Sequence, residues 1–436
     1  MKALAEGVVA LARSAGADEV AVVVSESTQV QLSRRDGRVE QASEASSRGI
    51  SLSVMVDGRY SSHSSSDLRA EPLAAFVRSA IEASRLLEPD PDRALPDIAE
   101  CGPAVPAAQI DALDPSWAER TAEGRSRDAE SVEHAIAARG LPHLISAASY
   151  VGDGWSNTVR VTSNGFSEAV TDAWFTLGGE ATVQDDERRP EAASYFGTRY
   201  RTDLPSVDQI ADDLAARVHE RIGAGPVASG SYPMLLLNRA AGRLLGVLGG
   251  ALAGSSLHQR RSCLADHLGQ PIGSAAFTLR DEPFLPRGLA SRTWDGDGLT
   301  ARPFTVVEAG VLRSYYINVY YGRKLGVPPT TGGRSNWVVP AGDRPWHALI
   351  ASMPEVVLVD GFVGGNSNPA TGDFSFGIRG ALYRYGQRDK SLSEMNVSGN
   401  LLDIFHRLVA VADDPWPWGS AFCPSLLFDG VQFSGT

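Results

Sequence analysis

At 436 residues the chain is too long for one ordinary core, so two or three domains are expected. Hydrophobic content of 43% and charged content of 21% are ordinary for a globular protein. The formal charge of −12 argues against a general nucleic-acid binder, which needs a basic face. Only Lys2, Lys324 and Lys390 are lysines, and the arginine, alanine and glycine bias reads as that of a GC-rich genome. Cys101, Cys263 and Cys423 lie far apart with no CxxC pair, which points to neither a disulfide framework nor a cysteine zinc site. Glu6 and Arg13 interrupt the N-terminal apolar stretch, which fits a helix face better than a signal peptide. No apolar run reaches membrane-spanning length, so a cytoplasmic protein with no membrane partner is expected.

Taken in order, residues 2–15 read as an amphipathic helix stopped by Gly16. Glu19 to Ser25 is a buried-type strand and Thr28 to Leu32 alternates. Asp36-Gly37 and Asp57-Gly58 are hairpin turns, with strands through Ile50, Leu52, Val54 and Val56. Asp67 is placed to cap a helix to about Leu87. Pro89, Pro91, Pro96, Pro103 and Pro106 make an extended connector. Asp114-Pro115-Ser116 opens a helix to about Arg139, and strands fill Leu144 to Tyr200, with turns read at Gly152-Asp153-Gly154, Asn164-Gly165 and Gly178-Gly179. Ser206 to Ile222 is helical again. The first half thus repeats helix, strands, helix, as a duplicated α+β unit would.

A composition shift at Gly223-Ala224-Gly225-Pro226 sets a boundary between an N-terminal α+β domain, 1–225, and a C-terminal β-rich domain with a few helices, 226–436. The second part begins with a strand, Tyr232 to Leu237, and a helix capped by Asn238. Glycines 242, 246, 249 and 250 weaken that helix by roughly 1 kcal/mol each and suit close packing against another backbone. Trp346 to Ala351 and Gly399 to Val411 read as helices, and the chain closes with two strands around Leu426 and Val431.

The stretch Val356 to Asn400 draws the most attention. A buried strand enters a loop rich in glycine and asparagine, which delivers Gly372-Asp373-Phe374-Ser375-Phe376-Gly377. Such glycine density serves either positive φ or a close approach of backbone or ligand. No HExxH, HExxxH, GxSxG, Walker A or helix-opening GxGxxG sequence occurs. His258 and His267 flank Cys263 without ligand spacing, and Ser291 to Gly298 is a turn lacking the later ligands of a calcium loop. Asp360, Asp373, Asp413 and Asp414 suit turn capping better than acid–base work, and Trp416-Pro417-Trp418 reads as an exposed aromatic loop that either binds a ligand or partner or seals a core edge.

Several segments in fixed order resemble the TldD/PmbA family, on its PmbA (TldE) side. They are Arg292-Thr293-Trp294-Asp295-Gly296-Asp297-Gly298, Glu308-Ala309-Gly310-Val311-Leu312, Thr330-Thr331-Gly332-Gly333, Thr371-Gly372-Asp373-Phe374-Ser375, Val397-Ser398-Gly399-Asn400-Leu401 and the terminal Pro424-Ser425-Leu426 with Ser434-Gly435. The resemblance implies a two-domain α+β architecture and a heterodimer in which a TldD-like zinc peptidase subunit carries HExxxH and the PmbA-like subunit encloses the chamber. Its substrates would be unfolded or short peptides, leader peptides among them. Approximate alignment puts Gly246, Val247 and Ala251 where that motif would stand, so no catalytic or metal ligands are assigned here and zinc is expected only in the partner. Asn366, Thr371, Gly372, Asp373, Phe374 and Ser375 are the candidate peptide-binding, chamber-lining residues. The alternative is a binding or scaffold protein that acts alone or as a homodimer, without peptidase activity.

Overall fold

The chain pairs its first six strands into one antiparallel sheet of unusual strand length. The computed structural model describes residues 1–435. Helix α1 (Lys2–Ser14) leads into β1 (Glu19–Arg35), β2 (Arg38–Val56), β3 (Arg59–Ser65) and α2 (Ala70–Ser84). After the proline-rich connector and the single turn α3 (Ala107–Ile110), α4 (Ala122–Ala138) precedes β4 (Leu144–Thr162), β5 (Ser167–Val183), β6 (Glu191–Thr198) and α5 (Val207–His219). The sheet order β3-β2-β1-β4-β5-β6 places two copies of helix, three strands, helix back to back about the β1–β4 seam. This is the duplicated α+β unit. Even-numbered residues of β1 (Val20, Val22, Val24) meet α1 and α2, and Leu32 farther along meets the core under α4 and α5. The helices therefore share one face, as period-2 alternation demands. Both Asp-Gly turns adopt left-handed φ at both residues (50° and 79° at Asp36 and Gly37), the hand that matches strand twist.

Four local expectations give way here. Gly152-Asp153-Gly154 and Gly178-Gly179 are not turns but lie inside β4 and β5. Their missing side chains let neighbours lie flat on the sheet: a Cβ at Gly154 would sit 2.5 Å from the Trp174 indole nitrogen, and one at Gly152 2.5 Å from the Thr176 hydroxyl. Asp114 opens only a short 3₁₀ turn, Pro115–Glu119, and Thr121 caps α4. Asp67 accepts the Arg69 N–H (3.1 Å) ahead of α2, and does not cap it.

The rest of the chain adds β7 (Gly230–Leu236), α6 (Asn238–Ala251), α7 (Gly254–His258), β8 (Leu279–Glu282), β9 (Phe304–Glu308), β10 (Val311–Leu312), α8 (Val319–Leu325), β11 (Asn336–Val338) and α9 (Trp346–Ala351). Then come β12 (Glu355–Ser367), β13 (Asp373–Arg384), β14 (Gln387–Asn400), α10 (Leu401–His406), β15 (Leu408–Val411), β16 (Ala421–Phe422) and β17 (Leu426–Ser434). A small sheet runs β10-β9-β8-β11-β16. The larger one runs β14-β13-β12-β7-β17-β15, and β14 also pairs β17, through Val397 opposite Phe433, so five strands close into a barrel. Its interior, with Phe374, Phe376, Phe405, Phe428 and Phe433, merges with the core under α6. The residues 399–411 read as one helix divide into α10, capped by Asn400, and β15; the last two strands are one bulged strand, β17. The α+β class holds throughout. Among the described residues no helix is long and apolar enough to cross a membrane.

Candidate functional site

Helix α6 and the β12–β13 connection form one surface at the mouth of the barrel. Leu244, Leu245, Val247, Leu248 and Ala251 bury the inner face of α6 in the main core, while Gly242, Arg243 and Gly246 are exposed. The two remaining glycines admit side chains, not the backbone anticipated from the sequence. A Cβ at Gly249 would stand 2.9 Å from the Trp337 ring, and one at Gly250 2.9 Å from Pro369. Pro369 belongs to the connection, so a bare helix surface draws that loop in. Arg243 donates to the Gly364 carbonyl (3.2 Å) with its guanidinium 4.8 Å from the Phe376 ring centre. The Cys263 N–H donates to the Pro369 carbonyl (2.9 Å), a third attachment.

The stretch read as a glycine loop is mostly strand. β12 runs on to Ser367 through two bulges, one at Gly364 and Gly365 where φ is 64° and 93°. Only 368–372 turns. Asn366 is exposed and opposite Ser375, itself exposed and opposite Ser398. Gly372 takes φ 83°, and its N–H donates to the Asn368 carbonyl (2.8 Å). Asn400 organises the turn: its amide donates to the Thr371 carbonyl (2.8 Å) and to the Asp373 carboxylate (3.0 Å), and its oxygen caps α10 at the Leu402 N–H (3.1 Å). Hydrogen bonds from Asn400 and then Thr371 hold the Asp373 carboxyl below its usual range. Gly372 and Phe374 are buried, unlike the other four candidates. Phe374 is 5% exposed and stacks on Phe376 at 5.4 Å, so it anchors the turn from beneath. The sequence shows Asn400 within a family segment but not its grip on the turn, and Arg243 is signalled there only as a polar residue between helix glycines.

Val247 and Ala251 point into the core, and Gly246, Val247 and Ala251 offer no carboxylate, imidazole or thiolate. Cys423 is buried, and desolvation followed by the charge of Asp414 pushes its thiol far above its usual range. His258 packs against Tyr321 with ring centres 5.9 Å apart. Among the described residues no three His, Cys, Asp or Glu side chains group closely enough to hold a metal ion. These side chains do not fit zinc.

Other conspicuous residues are structural. Asp295 accepts the N–H groups of Asp297 (2.9 Å), Leu299 (3.0 Å) and Gly332 (2.9 Å) and the Thr331 hydroxyl (3.1 Å), which makes a turn, not a calcium loop. Asp414 accepts the N–H (2.9 Å) and hydroxyl (2.8 Å) of Ser425. Asp360 is buried 4.0 Å from both Arg217 and Arg221 of α5. Trp416 and Trp418 pack over Phe196 of β6 (5.8 and 4.9 Å), sealing the helix-side core of the long sheet.

A long-stranded sheet with paired helices, joined to a closed five-stranded barrel, is the architecture of a small class of bacterial and archaeal proteins. A crystal structure from Bacteroides thetaiotaomicron, provisionally described as a modulator of DNA gyrase, superposes with a TM-score of 0.95 at 34% identity, over 100% of this chain and 99% of that one. TldE from Thermococcus kodakarensis shares the fold with a TM-score of 0.88 at 19% identity, over 99% and 100%. Among curated relatives, metalloprotease PmbA of Escherichia coli O157:H7 is 26% identical over 97% of this chain and 93% of its own. The metalloprotease PmbA homologue of Haemophilus influenzae is 27% identical over 98% and 94%. Residues 229–435 match the PmbA/TldA metallopeptidase C-terminal domain, and residues 20–84 match domain 1 of the same metallopeptidases. The chain belongs to the PmbA/TldD family.

Proposed function

We propose that this chain is the TldE-like, non-catalytic subunit of a two-subunit zinc peptidase that processes short or unfolded peptides, leader peptides among them. The carrying observation is chemical. In a family named for metallopeptidase activity, the exposed face of α6 offers glycine and arginine where a zinc peptidase needs imidazole and carboxylate. Hydrolysis then falls to a TldD-like partner that holds the zinc. This chain contributes wall and grip: Asn366, Thr371, Asp373 and Ser375 expose polar groups on and beside the pinned 368–372 turn next to α6, with buried Gly372 and Phe374 shaping its base. Extended peptides suit such a surface, since backbone pairing makes few demands on sequence. The division into a sheet part, 1–225, and a barrel part, 226–436, belongs to this reading, as does a cytoplasmic setting.

The test is co-expression with the TldD-like chain encoded by the same genome, with cleavage of an unstructured peptide as readout. Cleavage by the pair, lost on chelation and absent from this chain alone, is expected. Chelator-insensitive cleavage by this chain alone overturns the proposal. Failure to co-purify with any TldD-like chain, together with a homodimer in solution, supports the stand-alone scaffold reading in its place.

A further inference from the structure

The duplicated sheet treats its two halves differently. A constant shift in residue number carries the pair Ser33–Gln41 onto Arg160–Glu168 and the pair Glu19–Met55 onto Ser146–Thr182, so β1 and β2 correspond to β4 and β5 residue by residue. β3 covers only Ile50 to Val56 of β2, as β6 covers only Phe175 to Thr182 of β5. Each half thus keeps a stretch of strand bonded on one side alone. In β5 this chain fills the gap itself. The proline-rich connector reaches it, with the Ala173 N–H donating to the Ala112 carbonyl (3.0 Å), and Val170 to Trp174 are buried or half-buried. Among the described residues, β1 is the one strand that pairs with the counterpart stretch of β2. Every residue there from Arg38 to Arg48 is exposed, roughly 35 Å of strand.

Folded proteins normally guard such edges. On β6 the guard is visible: Arg217 and Arg221 of α5 donate to the Ala193 and Glu191 carbonyls. On β2 the register slips once, beside Glu40, and Gln41 to Arg48 carries no bulge, proline or lysine. Its charges, Glu44 and Arg48, are opposite in sign. Ser46 is the counterpart of Ala173, whose N–H points away from β4. Period-2 alternation then turns the N–H and C=O of Ala42, Glu44 and Ser46 away from β1.

A second copy of this chain fits that edge poorly. Two copies of β2 related by a two-fold axis keep their faces matched only when residues of the same parity stand opposite. Centred on Ser43, the pairing sets Arg38 against Arg48; centred on Glu44, it sets Glu44 against itself. Like charges directly opposite destabilise a sheet. A related strand of different sequence escapes both clashes. Residues 20–84, which match domain 1 of the family metallopeptidases, contain β2 whole, so a partner from this family brings such a strand.

We propose, on the two-subunit reading, that Gln41 to Arg48 is where this chain holds its TldD-like partner. The corresponding strand of that subunit pairs antiparallel with β2 through the outward groups of Ala42, Glu44 and Ser46, and the two long sheets become one.

The test is hydrogen exchange of single amides, in this chain alone and in the pair co-expressed with the TldD-like chain of the same genome. Alone, Ala42, Glu44 and Ser46 exchange fast, while Ser43 and Ala45, bonded to β1, exchange slowly. In the pair the first three slow at least roughly tenfold, the scale of a hydrogen bond gained. Glu44→Pro removes an outward N–H and no bond to β1, a position where a strand tolerates proline. It weakens the pair at least roughly tenfold. Should that variant fail to fold, exchange in the wild type decides alone. A pair that forms with these amides unprotected, or that holds Glu44→Pro as tightly as wild type, overturns this interface and leaves the two-subunit reading standing. Failure to pair with any TldD-like chain overturns both. Slowing of the same amides in a homodimer of this chain overturns the choice of partner.

Discussion

Replacing Asp153 by alanine should cost far more than its place between two glycines suggests. The carboxylate is fully buried in β4 and takes two 2.7 Å bonds from Arg125 of α4 and one of 3.1 Å from the Trp117 indole. Arg120 lies 3.6 Å away but keeps Asp128 at 2.9 Å, so it does not lose its counter-ion. Arg125 does: it is 8% exposed and has no second carboxylate in reach among the described residues. Stranding a buried guanidinium costs about 3–5 kcal/mol, which at roughly 2–4 °C per kcal/mol for a domain of this size lowers the melting temperature by about 10 °C. The double variant Arg125→Met, Asp153→Leu removes both charges and fills similar volume, so it should recover most of that loss. Urea titration and thermal unfolding of the wild type, both single variants and the double close the cycle. A single-variant loss under about 1 kcal/mol, or a double variant no better than Asp153→Ala, refutes the reasoning.

Further outcomes follow from other contacts. Asn400→Ala removes a helix cap and both bonds that hold the 368–373 turn; it should cost about 1–2 kcal/mol and speed proteolysis within that turn. Gly154→Val should lift Trp174 off the sheet, and its indole emission should shift to the red. Asp90 is held below its usual range by Lys324 (2.9 Å), with the Tyr320 hydroxyl (2.8 Å) assisting. A depressed carboxyl contributes stability above its unfolded pKa near ~4, lost as pH falls through the lower folded value. The melting temperature of Asp90→Asn should therefore trail wild type at about pH 7, by a gap that narrows as pH falls below about 4. A gap that does not narrow would show that the pair is not what joins the proline-rich connector to α8.

The sequence disclosed what depends on period and turn chemistry. The Asp-Gly turns, the amphipathic α1, α2 and α5 and the helix–strands–helix duplication were all readable, because each is specified within a dozen residues. What stayed hidden depends on partners far away in sequence. The Gly152-Asp153-Gly154 run looks like a turn until Trp174, Thr176 and Arg125 are placed beside it. The stretch 399–411 looks like one helix until β17 claims Leu408 to Val411 as a strand. Likewise the 368–372 turn and Asn400 both lie in segments quoted from the sequence, but the other supports of the turn did not show: Arg243 and Cys263 come from segments that only the closed barrel brings beside it.

Barrel closure also sets an order in time. Every strand of the long sheet, with its four principal helices, has been made once residue 219 has left the ribosome, so that half can fold on the nascent chain. β7 cannot complete its pairing so early: one neighbour, β12, starts at residue 355 and the other, β17, at 426. At 5–20 residues per second, the roughly 190 residues between the end of β7 and the start of β17 take on the order of ten seconds or more to synthesise. Through that interval Met234, Leu235 and Leu236 lack both strand neighbours. The barrel half is thus the last part of this protein that can close.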